Sequence, residues 1–428
     1  MTIHDLGKNL VDMFDRSAAR KGDEPFLWAK RDGTWSPWSW RRVAGEVDRL
    51  ARCLARLGVT RSERVVLVAE SRPEWCIADL AVMAAGGITV PSYTTYTTDD
   101  YAYLLDHAEA RVVVCSGGNI PKRLAPAIGR APSIEAVIFM DEPVQDGLAV
   151  PALGWAEALA RGESAPPVAP SASIAPDDTA CFIYTSGTGG RPKGVMLSHA
   201  NIMANIQGAW QLLDTIGVGD EVFLSFLPLS HSYEHTGGQM LPIALGAQIY
   251  YAEGVESLSR NLVEARPTIL TCVPRLYEVL RHRIQSGGER EGGVKARRFR
   301  MALDLGTRRY AQGGRLPLPL AALDRVLDRL VRRKVRERFG GRLKAMISGG
   351  APLNPEVGLF FTALGLPVLQ GYGQTEASPV ISVNPPGRCK LDTVGKPLAG
   401  VQVEIAADGE ILVAGPLVMK GYWKDPEA

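Results

Sequence analysis

The chain has 428 residues, of which 46% are hydrophobic and 22% are charged, and its formal net charge is +2. This length allows a large core and more than one domain, and the composition is ordinary for a globular protein. The small net charge argues against nucleic acid or a membrane as a partner of the whole chain surface. The six cysteines include no Cys-x-x-Cys pair, and the six histidines form no zinc pattern. We therefore expect reduced thiols, a cytoplasmic location and no zinc site.

The first elements in chain order predict an α/β arrangement. Residues 1–21 predict an amphipathic helix without the apolar core of a signal peptide, and no apolar run is long enough to span a membrane. Apolar residues recur at helical spacing from Ser39, a suitable N-cap, to Gly58, a suitable stop. The strand ERVVLVAE follows, then helices around 74–85 and 99–108, then the strand ARVVVCS. Strands that alternate with helices indicate a largely parallel sheet.

A linker rich in Pro, Ala and Ser, residues 164–178, precedes the sequence YTSGTGGRPKGVMLSH at 184–199. The Walker pattern fails here because Pro192 precedes Lys193 and Gly194 follows it, and Pro192 also breaks the pattern G-x-G-x-x-G. Four glycines nevertheless let backbone N–H groups form an anion-binding nest, to which three hydroxyls and a lysine add donors and positive charge. A surface hairpin between ACFIY and GVMLS is the simpler interpretation, but this chemistry favours a polyphosphate.

The α/β pattern continues beyond this loop. Ser198 is the predicted cap of a helix through Asn205 to Leu213, and EVFLSFLPLS, QIYYAE and TILTCVP are strand-like. KAMISGGAP and PVLQGYGQTEAS are each a strand that runs into a glycine-containing loop. Because ligands of α/β sheets lie at the carboxyl ends of strands, we expect these loops to converge on the polyphosphate loop. From Thr393 onward, short strands and an Asp-Gly turn at 408–409 indicate a hairpin or a small barrel.

Residues 294–344, which we call the basic segment, contain sixteen Lys and Arg side chains and four acidic ones, a net charge of +12. The rest of the chain therefore carries about −10. Apolar residues predict one face of a helix, with arginines mainly elsewhere. A solvated basic face is the simpler interpretation, and docking on anionic lipid is the alternative. The apolar positions are Leu320, Leu323, Leu327, Leu330, Val331 and Val335, and the arginines are Arg325, Arg329, Arg332, Arg333 and Arg336.

Four motifs in this order, YTSGTGG, SGGAP, YGQTE and GEILVAGPLVMKGYW, resemble the adenylate-forming enzymes, which include AMP-producing acyl-CoA synthetases, luciferases and peptide-synthetase adenylation domains. The resemblance covers essentially the whole chain. It is strongest to the long-chain fatty-acid–CoA ligases, on LPLSHSYEHTGG, PRLYEVLRHRI with the basic segment, LKAMISGGAPLNPEV and GYGQTEASPVISVN.

This resemblance implies an α/β fold of stacked, mostly parallel sheets flanked by helices, with a small β-barrel-like subdomain toward the C-terminus. The expected organisation is one AMP-binding domain over residues 1–428. Within it, residues 1–175 and 176–385 would be α/β subdomains, and residues 386–428 would be part of the small β subdomain.

The reaction that the resemblance implies has two steps. A carboxylate attacks the α-phosphate of ATP, which gives an acyl-adenylate and pyrophosphate, and the thiol of CoA then displaces AMP. Chemistry of this kind depends mainly on positioning and charge neutralisation. The implied cofactors are ATP, Mg²⁺ and CoA, and the implied substrates are a medium- to long-chain fatty acid and CoA. Peripheral contact with the inner face of an anionic membrane, but no nucleic acid, completes the expected partners.

The resemblance also assigns roles to single residues. Tyr372 would stack on adenine, residues 350–352 would line the base pocket, and Thr375 would contact the α-phosphate. Thr188 and Glu376 would hold Mg²⁺, a hard cation that suits carboxylate and phosphate oxygens, and with His231 they are the expected catalytic residues. The whole expected ATP site comprises Thr185, Ser186, Gly187, Thr188, Gly189, Gly190, Lys193, Gly350, Ala351, Pro352, Gln370, Gly371, Tyr372, Gly373 and Thr375.

Two features depart from the family pattern. Gly189 stands where the family usually has the second Thr of TSGTTG, which removes one hydroxyl from the phosphates. The family also continues, beyond the position of Ala428, with a ribose-binding Gly-Asp motif, a hinge and a smaller C-terminal domain of about a hundred residues that carries the lysine used in adenylation. We therefore expect this sequence to be the large N-terminal domain, with little or no acyl-CoA synthetase turnover on its own.

Three other functions stay open. An acyl-AMP ligase would pass the acyl group to a carrier protein instead of CoA, and a catalytically incomplete module would bind the nucleotide only. An amino-acid-activating domain needs a buried carboxylate for the substrate's ammonium group, and Glu234 is the only acid near HSYEH. Taken singly, Tyr372 also fits a core aromatic and His231 a buried histidine, but the set in family order favours the functional interpretation.

Overall fold

The computed structural model describes residues 6–185, 190–290, 292–387 and 389–428. Its helices are α1 (Leu10–Lys21), α2 (Trp40–Arg56), α3 (Pro73–Ala84), α4 (Thr98–Ala108), α5 (Ile120–Ile128), α6 (Trp155–Glu163), α7 (His199–Asp214), α8 (Ser232–Glu234), α9 (Leu241–Leu245), α10 (Leu258–Ala265), α11 (Pro274–Arg290), α12 (Gly293–Ala311), α13 (Leu318–Leu327), α14 (Arg333–Glu337) and α15 (Pro355–Ala363). Single 3₁₀ turns occur at Ser171–Ser173 and Thr375–Ala377, and π-helical turns at His235–Met240 and Asp328–Arg332.

The strands are β1 (Pro25–Arg31), β2 (Thr34–Ser39), β3 (Arg64–Val68), β4 (Ile88–Pro91), β5 (Ala110–Cys115), β6 (Ala136–Phe139), β7 (Ala152–Gly154), β8 (Thr179–Thr185), β9 (Lys193–Ser198), β10 (Val222–Ser225), β11 (Gln248–Tyr251), β12 (Ile269–Cys272), β13 (Ala345–Ser348), β14 (Val368–Gly373), β15 (Val380–Val383), β16 (Lys396–Pro397), β17 (Gln402–Ile405) and β18 (Ile411–Ala414).

Two large sheets form the framework. One has the order β7-β6-β5-β3-β4-β8-β9 and is parallel except for the antiparallel pair β8–β9. The other has the order β16-β15-β14-β13-β12-β10-β11-β1-β2, with a parallel centre from β14 to β1 and antiparallel strands at both edges. The predicted α/β class with mostly parallel sheets is confirmed.

The largest core joins strands of both sheets with helices α1, α2, α3, α7 and α9. Side chains alternate along β3, so that Val65 and Leu67 belong to this core while Val66 and Val68 pack with α4 and α5 on the other face. The outer face of the second sheet packs in the same way against α10, α11 and α15. Burial on both faces explains why the central strands are continuous apolar runs.

Most of the predicted elements are confirmed close to their expected ends. Ser39 caps α2 by accepting a hydrogen bond from the Arg42 backbone N–H, and Ser198 caps α7 in the same way through Asn201. The N-terminal helix begins later than predicted, at Leu10, where the Asn9 side chain caps it. Among the described residues, no helix combines the length and the apolar character that crossing a bilayer requires.

The small β-barrel-like subdomain is not confirmed by the described residues. The chain there forms the two-stranded sheet β17–β18 and the edge strand β16, with no closed barrel. All four residues of β17 are exposed, so the hairpin encloses no interior around which a barrel could close. The hairpin with its turn at Asp408–Gly409 is confirmed.

The sheets do not follow the expected division at residue 176. Strands β8 and β9 lie beyond that residue and complete the sheet of β3–β7, while β1 and β2 precede it and complete the other sheet. The division into subdomains 1–175, 176–385 and 386–428 therefore stays a prediction.

The basic segment is not one amphipathic helix. It contains α12, α13 and α14, with a π-helical turn between the last two. Leu323 and Leu330, expected on the apolar face, are 37% and 43% exposed, whereas Arg332, expected outside that face, is completely buried. A π-helical turn contains more residues than an α-helical one, so a 3.6-residue period read across it assigns side chains to the wrong face.

Candidate active site

A cleft of about 490 Å³ lies where the carboxyl ends of strands from both sheets meet. Residues at or just beyond the ends of β4 and β8 line it on one side, and residues that follow β10, β13 and β14 line it on the other. This is the position at which α/β sheets place their ligands, because the loops that leave the strands are free of the ladder hydrogen bonds there.

The end of β13 and the loop after it line the cleft with Ser348 and two glycines, Gly349 and Gly350. The Ser348 hydroxyl is buried and has no hydrogen-bond partner among the described residues, so it is available to a ligand. A Cβ at Gly349 would lie 3.0 Å from the Tyr233 ring, and Gly350 has a φ of +82°, which favours glycine. Glycine at 349 therefore allows the Tyr233 ring to pack against the main chain, and glycine at 350 allows the turn at the edge of the cleft.

The end of β14 and the turn that follows it form the next part of the wall. Gly371, Tyr372 and Gly373 line the cleft, and so do Thr375 and Glu376 in the 3₁₀ turn. The hydroxyls of Thr375 and Ser232 lie 3.0 Å apart, which ties this turn to the segment after β10.

His231 lines the same cleft at the N-terminus of α8. Its Nδ1 accepts a hydrogen bond from the Tyr233 backbone N–H at 3.1 Å, which fixes the ring. Surrounding protein atoms lower the pKa of His231 by desolvation, although part of the ring faces solvent. At neutral pH we therefore expect an uncharged imidazole here, with Nε2 directed away from this hydrogen bond.

The opposite wall is aromatic. Tyr93 and Tyr96 follow β4, and Tyr184 and Thr185 end β8. The Tyr184 hydroxyl lies 2.8 Å from Nδ1 of His107, and burial raises its pKa. Burial also raises the pKa of Tyr96 to about 12, so these phenols are neutral and add no negative charge to a site expected to hold an anion.

Lys193 and Glu376 are joined through the C-terminal residues of the chain. The Lys193 ammonium lies 5.0 Å from the centroid of the Tyr422 ring and 2.9 Å from the Asp425 carboxylate. The Tyr422 hydroxyl donates a hydrogen bond of 2.8 Å to Glu376. Burial, with the nearby carboxylates of Glu376 and Asp425, raises the pKa of Tyr422 to about 12, so this hydroxyl remains a donor.

The structure separates the expected site residues into four groups, one of which is Lys193 alone, because it does not line the cleft and is connected to Glu376 only through Tyr422. Thr185, His231, Gly350, Gly371, Tyr372, Gly373, Thr375 and Glu376 line the cleft together. Gln370 is buried behind the wall, where it accepts from the Leu353 N–H, while Ala351, Pro352 and Gly190 are exposed and do not line it. Ser186, Gly187, Thr188 and Gly189 lie outside the described residues.

Several cleft residues were missed from the sequence. Tyr93 and Tyr96 lie in SYTTYTT, which is neither charged nor glycine-rich, whereas Ser348 is the first residue of SGGAP and that motif could have indicated it. The sequence indicates Tyr422 only as one residue of the motif GEILVAGPLVMKGYW and predicts no contact for it. Its contact with Glu376 joins residues 46 positions apart, which no local pattern predicts.

The family model of AMP-binding enzymes, described as "AMP-binding enzyme", matches residues 14–423. The chain belongs to this family. The long-chain-fatty-acid–CoA ligase FadD15 of Mycobacterium bovis is 33% identical over 399 residues, which cover 93% of this chain and 65% of that protein. The peroxisomal long chain acyl-CoA synthetase 7 of Arabidopsis thaliana is 32% identical, and the match covers 100% of this chain and 62% of that protein. The chain thus spans less than two thirds of these relatives.

Solved structures agree on the fold of this AMP-binding enzyme. The A domain of a carboxylic acid reductase from Segniliparus rugosus, solved with AMP and a co-purified carboxylic acid, superposes with a TM-score of 0.75 at 22% identity. The match covers 98% of this chain and 69% of that one.

A second, narrow cavity of about 40 Å³ adjoins the cleft of this AMP-binding enzyme. It shares Tyr233, Ile347 and Val380 with the cleft and continues between α7 and the π-helical turn at 235–240. Gly237 faces it, and a Cβ there would meet Thr271 at 3.4 Å. Its lining is almost wholly apolar, which suits an aliphatic group rather than a charged one.

Glu234 does not line the cleft, although it is the acid nearest to His231 in the sequence. It is completely buried, and its two oxygens accept hydrogen bonds of 2.7 Å from Ser225 and from Thr271. Burial raises its pKa to about 7 against the opposing effect of these hydrogen bonds. A carboxyl group in this position is part of the core and is not placed to pair a substrate's ammonium group.

Glu234→Gln is expected to change how stability depends on pH. The folded carboxyl group holds its proton up to a pH of about 7, above its ordinary pKa, so the wild type loses stability as pH rises from about 4.5 through 7. The glutamine variant lacks this loss. Between pH 5 and pH 8, the free energy of unfolding of the variant, relative to that of the wild type, should therefore rise by on the order of 2–3 kcal/mol. Denaturant unfolding at the two pH values measures this change. A difference between the two proteins that does not vary with pH, as expected for the exposed control Glu410→Gln, would contradict the assignment.

Proposed function

We propose that this chain is the large domain of a fatty-acid–CoA ligase that forms AMP. The observation that carries the proposal is one cleft, bordered by Thr185, Tyr372 and Glu376, that adjoins an apolar cavity behind Tyr233. A nucleotide in the cleft and an aliphatic tail in the cavity would bring a carboxylate and an α-phosphate together. The names of the relatives, long-chain-fatty-acid–CoA ligase and long chain acyl-CoA synthetase, support the same substrate class and favour CoA as the acceptor.

ATP fits the residues that line the cleft. A flat base would stack on the Tyr372 ring, beside the loop at Gly349 and Gly350 that lines the same cleft. The unpartnered Ser348 hydroxyl and the Thr375 hydroxyl are donors for polar groups of the nucleotide. The Lys193 ammonium contacts the Tyr422 ring, whose hydroxyl bonds to Glu376, so Lys193 would add positive charge on the phosphate side of the site.

Mg²⁺ fits only together with a polyphosphate. The described residues contain no group of three or more His, Cys, Asp and Glu side chains that could hold an ion. Mg²⁺, however, commonly takes one or two carboxylates and completes its shell with phosphate oxygens and water. Glu376 would supply the carboxylate, and the bound ion would neutralise charge on the phosphates. Tyr422 would hold that carboxylate in place through its hydrogen bond.

His231 and the apolar cavity would serve the carboxylate substrate. His231 would lie beside the reacting carboxyl group as a neutral donor or acceptor, since burial lowers its pKa. The tail would extend past Tyr233 into the cavity beside Gly237, which must widen to accept a long chain. Each buried CH₂ contributes up to about 0.8 kcal/mol, so affinity should rise with chain length until the cavity is filled.

Binding of non-reactive acyl-adenylate analogues by the 428-residue chain tests this proposal. The panel compares AMP with palmitoyl, octanoyl, benzoyl and phenylalanyl analogues by calorimetry. With about three or four of the extra CH₂ groups buried at about 0.8 kcal/mol each, we expect the palmitoyl analogue to bind on the order of 100-fold more tightly than the octanoyl one. Preference for the benzoyl or phenylalanyl analogue would overturn the substrate class, and failure to bind AMP in any form would overturn the nucleotide site.

One variant tests the binding of the acyl tail separately from the binding of the nucleotide. Gly237→Leu fills the apolar cavity, because its Cβ already meets Thr271 and the Tyr233 ring at contact distance. It should retain AMP binding, which also shows that it folds, and should lose the gain from the longer acyl chain. An unchanged preference for palmitoyl would place the tail elsewhere.

A further inference from the structure

A separate cavity of about 150 Å³ lies among α11, α12 and the helical residues 330–338. Its floor is apolar and is formed by Ile284, Phe299, Val331 and Val335. Four cationic side chains border it, and they are Lys295, Arg298, Lys334 and Arg338. Gly287 and Gly288 face it from α11 without side chains, which keeps the cavity open. It is thus a cationic opening over an apolar floor.

The acids of the basic segment are already used elsewhere. Asp304 pairs with Arg308, Asp328 with Arg336, and Glu337 with Arg333. The fourth acid, Asp324, pairs with both Arg309 and Arg332. Every acidic side chain of the segment is therefore neutralised within it.

Three of the four cations at the cavity, Arg298, Lys334 and Arg338, are not neutralised in this way. Within the described residues, no ion pair or hydrogen bond involves the side chains of Arg298, Lys334 or Arg338. Three like charges that converge on one cavity repel each other, and an anion seated between them would remove that repulsion. Arg and Lys side chains are the usual ligands of phosphate groups.

Leu330 is an exposed apolar side chain at this cavity, and further exposed apolar side chains lie close to its lining residues in the sequence. Leu330 lines it and is 43% exposed, and Val326 and Leu323 stand four and seven residues before it at 51% and 37%. Leu323 and Val326 are three residues apart within α13, which places them on one side of that helix, and Leu330 lies in the π-helical turn that follows. Val294, beside Lys295, is 63% exposed. Apolar side chains next to unpaired cations are typical of surfaces that lie on an anionic bilayer.

We infer that this face docks on a bilayer that contains anionic phospholipid, with one phosphate headgroup seated between Arg298, Lys334 and Arg338. The headgroup would lie at the opening of the cavity, its glycerol backbone over Phe299 and Val331, and Leu330 would enter the interface. A free phosphate offers the same charge but gains nothing from the apolar floor and the exposed Leu330. Nucleic acid would leave both uncovered, so the structure favours lipid.

Co-sedimentation with vesicles tests the inference. The vesicles are phosphatidylcholine alone or phosphatidylcholine mixed with phosphatidylglycerol, each at low and high salt, with inorganic phosphate and single-stranded DNA as soluble competitors at matched ionic strength. We expect binding to the mixed vesicles only, weaker at high salt, and little displacement by either competitor. Equal binding to both vesicle types, or binding of phosphate or DNA without binding of vesicles, would overturn it.

Three variants locate the surface. Each cation near an anionic lipid surface contributes about fivefold to binding, so Arg298→Gln/Lys334→Gln/Arg338→Gln should lose on the order of 100-fold. The matched control Lys8→Gln/Arg56→Gln/Lys122→Gln removes three exposed cations elsewhere and has the same net charge. It should retain most of the binding, and equal losses in the two triple variants would reduce the effect to net charge and overturn the site.

The third variant keeps every charge and fills the cavity. Gly287→Leu is sterically tolerated, since the nearest atom to its Cβ is the end of the Arg338 side chain at 3.6 Å. It should lower vesicle binding at least several-fold if a headgroup occupies the cavity. Wild-type binding by this variant would contradict the seated headgroup, and AMP binding measured in parallel shows for all variants that the fold is intact.

Discussion

Replacing Glu376 by Gln is expected to remove most of the effect of Mg²⁺ on ATP binding. The carboxylate lines the cleft and is held by the Tyr422 hydroxyl, and it is the acid expected to complete the shell of a phosphate-bound ion. An interaction with a charged group is worth about 1.5–3 kcal/mol, so the gain in affinity from Mg²⁺ should fall by about 10- to 100-fold. Calorimetric titration with ATP, in the presence and in the absence of Mg²⁺, measures this gain in affinity.

AMP and a second glutamate provide the controls for this result. AMP carries no polyphosphate, so its affinity should be nearly the same in the Glu376→Gln variant. Glu410→Gln removes an exposed carboxylate in the β17–β18 hairpin and should leave the Mg²⁺ effect intact. A Glu376→Gln variant whose ATP binding responds to Mg²⁺ as in the wild type would remove Glu376 from the metal site.

The largest effect on stability is expected from Asp324→Ala. Arg332 is completely buried, and its guanidinium group donates to Asp324 Oδ1 at 2.6 Å and to the carbonyls of Ala302 and Ala363 at 2.7 Å each. It therefore joins α12, α13 and α15. Without the Asp324 carboxylate, a buried positive charge lacks its counter-charge, which costs about 3–5 kcal/mol of the free energy of unfolding. Urea unfolding followed by circular dichroism measures the change.

A surface pair in the same segment is the matched control. Asp304 and Arg308 form an exposed i,i+4 pair, so Asp304→Ala should cost no more than about 0.5 kcal/mol. The double variant Asp324→Leu/Arg332→Met replaces the buried pair by apolar groups and should recover much of the loss. Equal stabilities of Asp324→Ala and Asp304→Ala would show that Arg332 does not depend on its carboxylate.

The sequence predicted those parts of the fold that depend on neighbours along the chain. Ser39 and Ser198 are hydrogen-bonding side chains before apolar-periodic runs, and both cap helices as expected. The strands that enter the two glycine loops are continuous apolar runs, and both lie at the centre of a sheet that is buried on its two faces. Short-range hydrogen bonds and side-chain periodicity suffice for such elements, because they are set within a few residues.

The sequence did not predict side chains whose partners are distant. In the sequence, Arg332 is one of many cations in the basic segment, and only the tertiary structure shows that α12 and α15 bury it. The π-helical turn also places its side chain on a different face of the helix from the one that a regular α-helical period predicts. Glu234 was the only acid available near HSYEH, and its burial between Ser225 and Thr271 removes it from the cleft. Tyr93 and Tyr96 stand in no motif, yet they line the site.

By itself, the sequence determined the α/β class, the central strands and the loops that leave them, because periodicity, capping and glycine content act locally. Only the tertiary structure decided which of these loops share a cleft, that Tyr422 contacts Glu376, and that Arg298, Lys334 and Arg338 border one cavity. The physical reason is that burial and pairing depend on distances between residues far apart in the chain. Those distances follow from how the two sheets and their helices pack, and local sequence does not encode them.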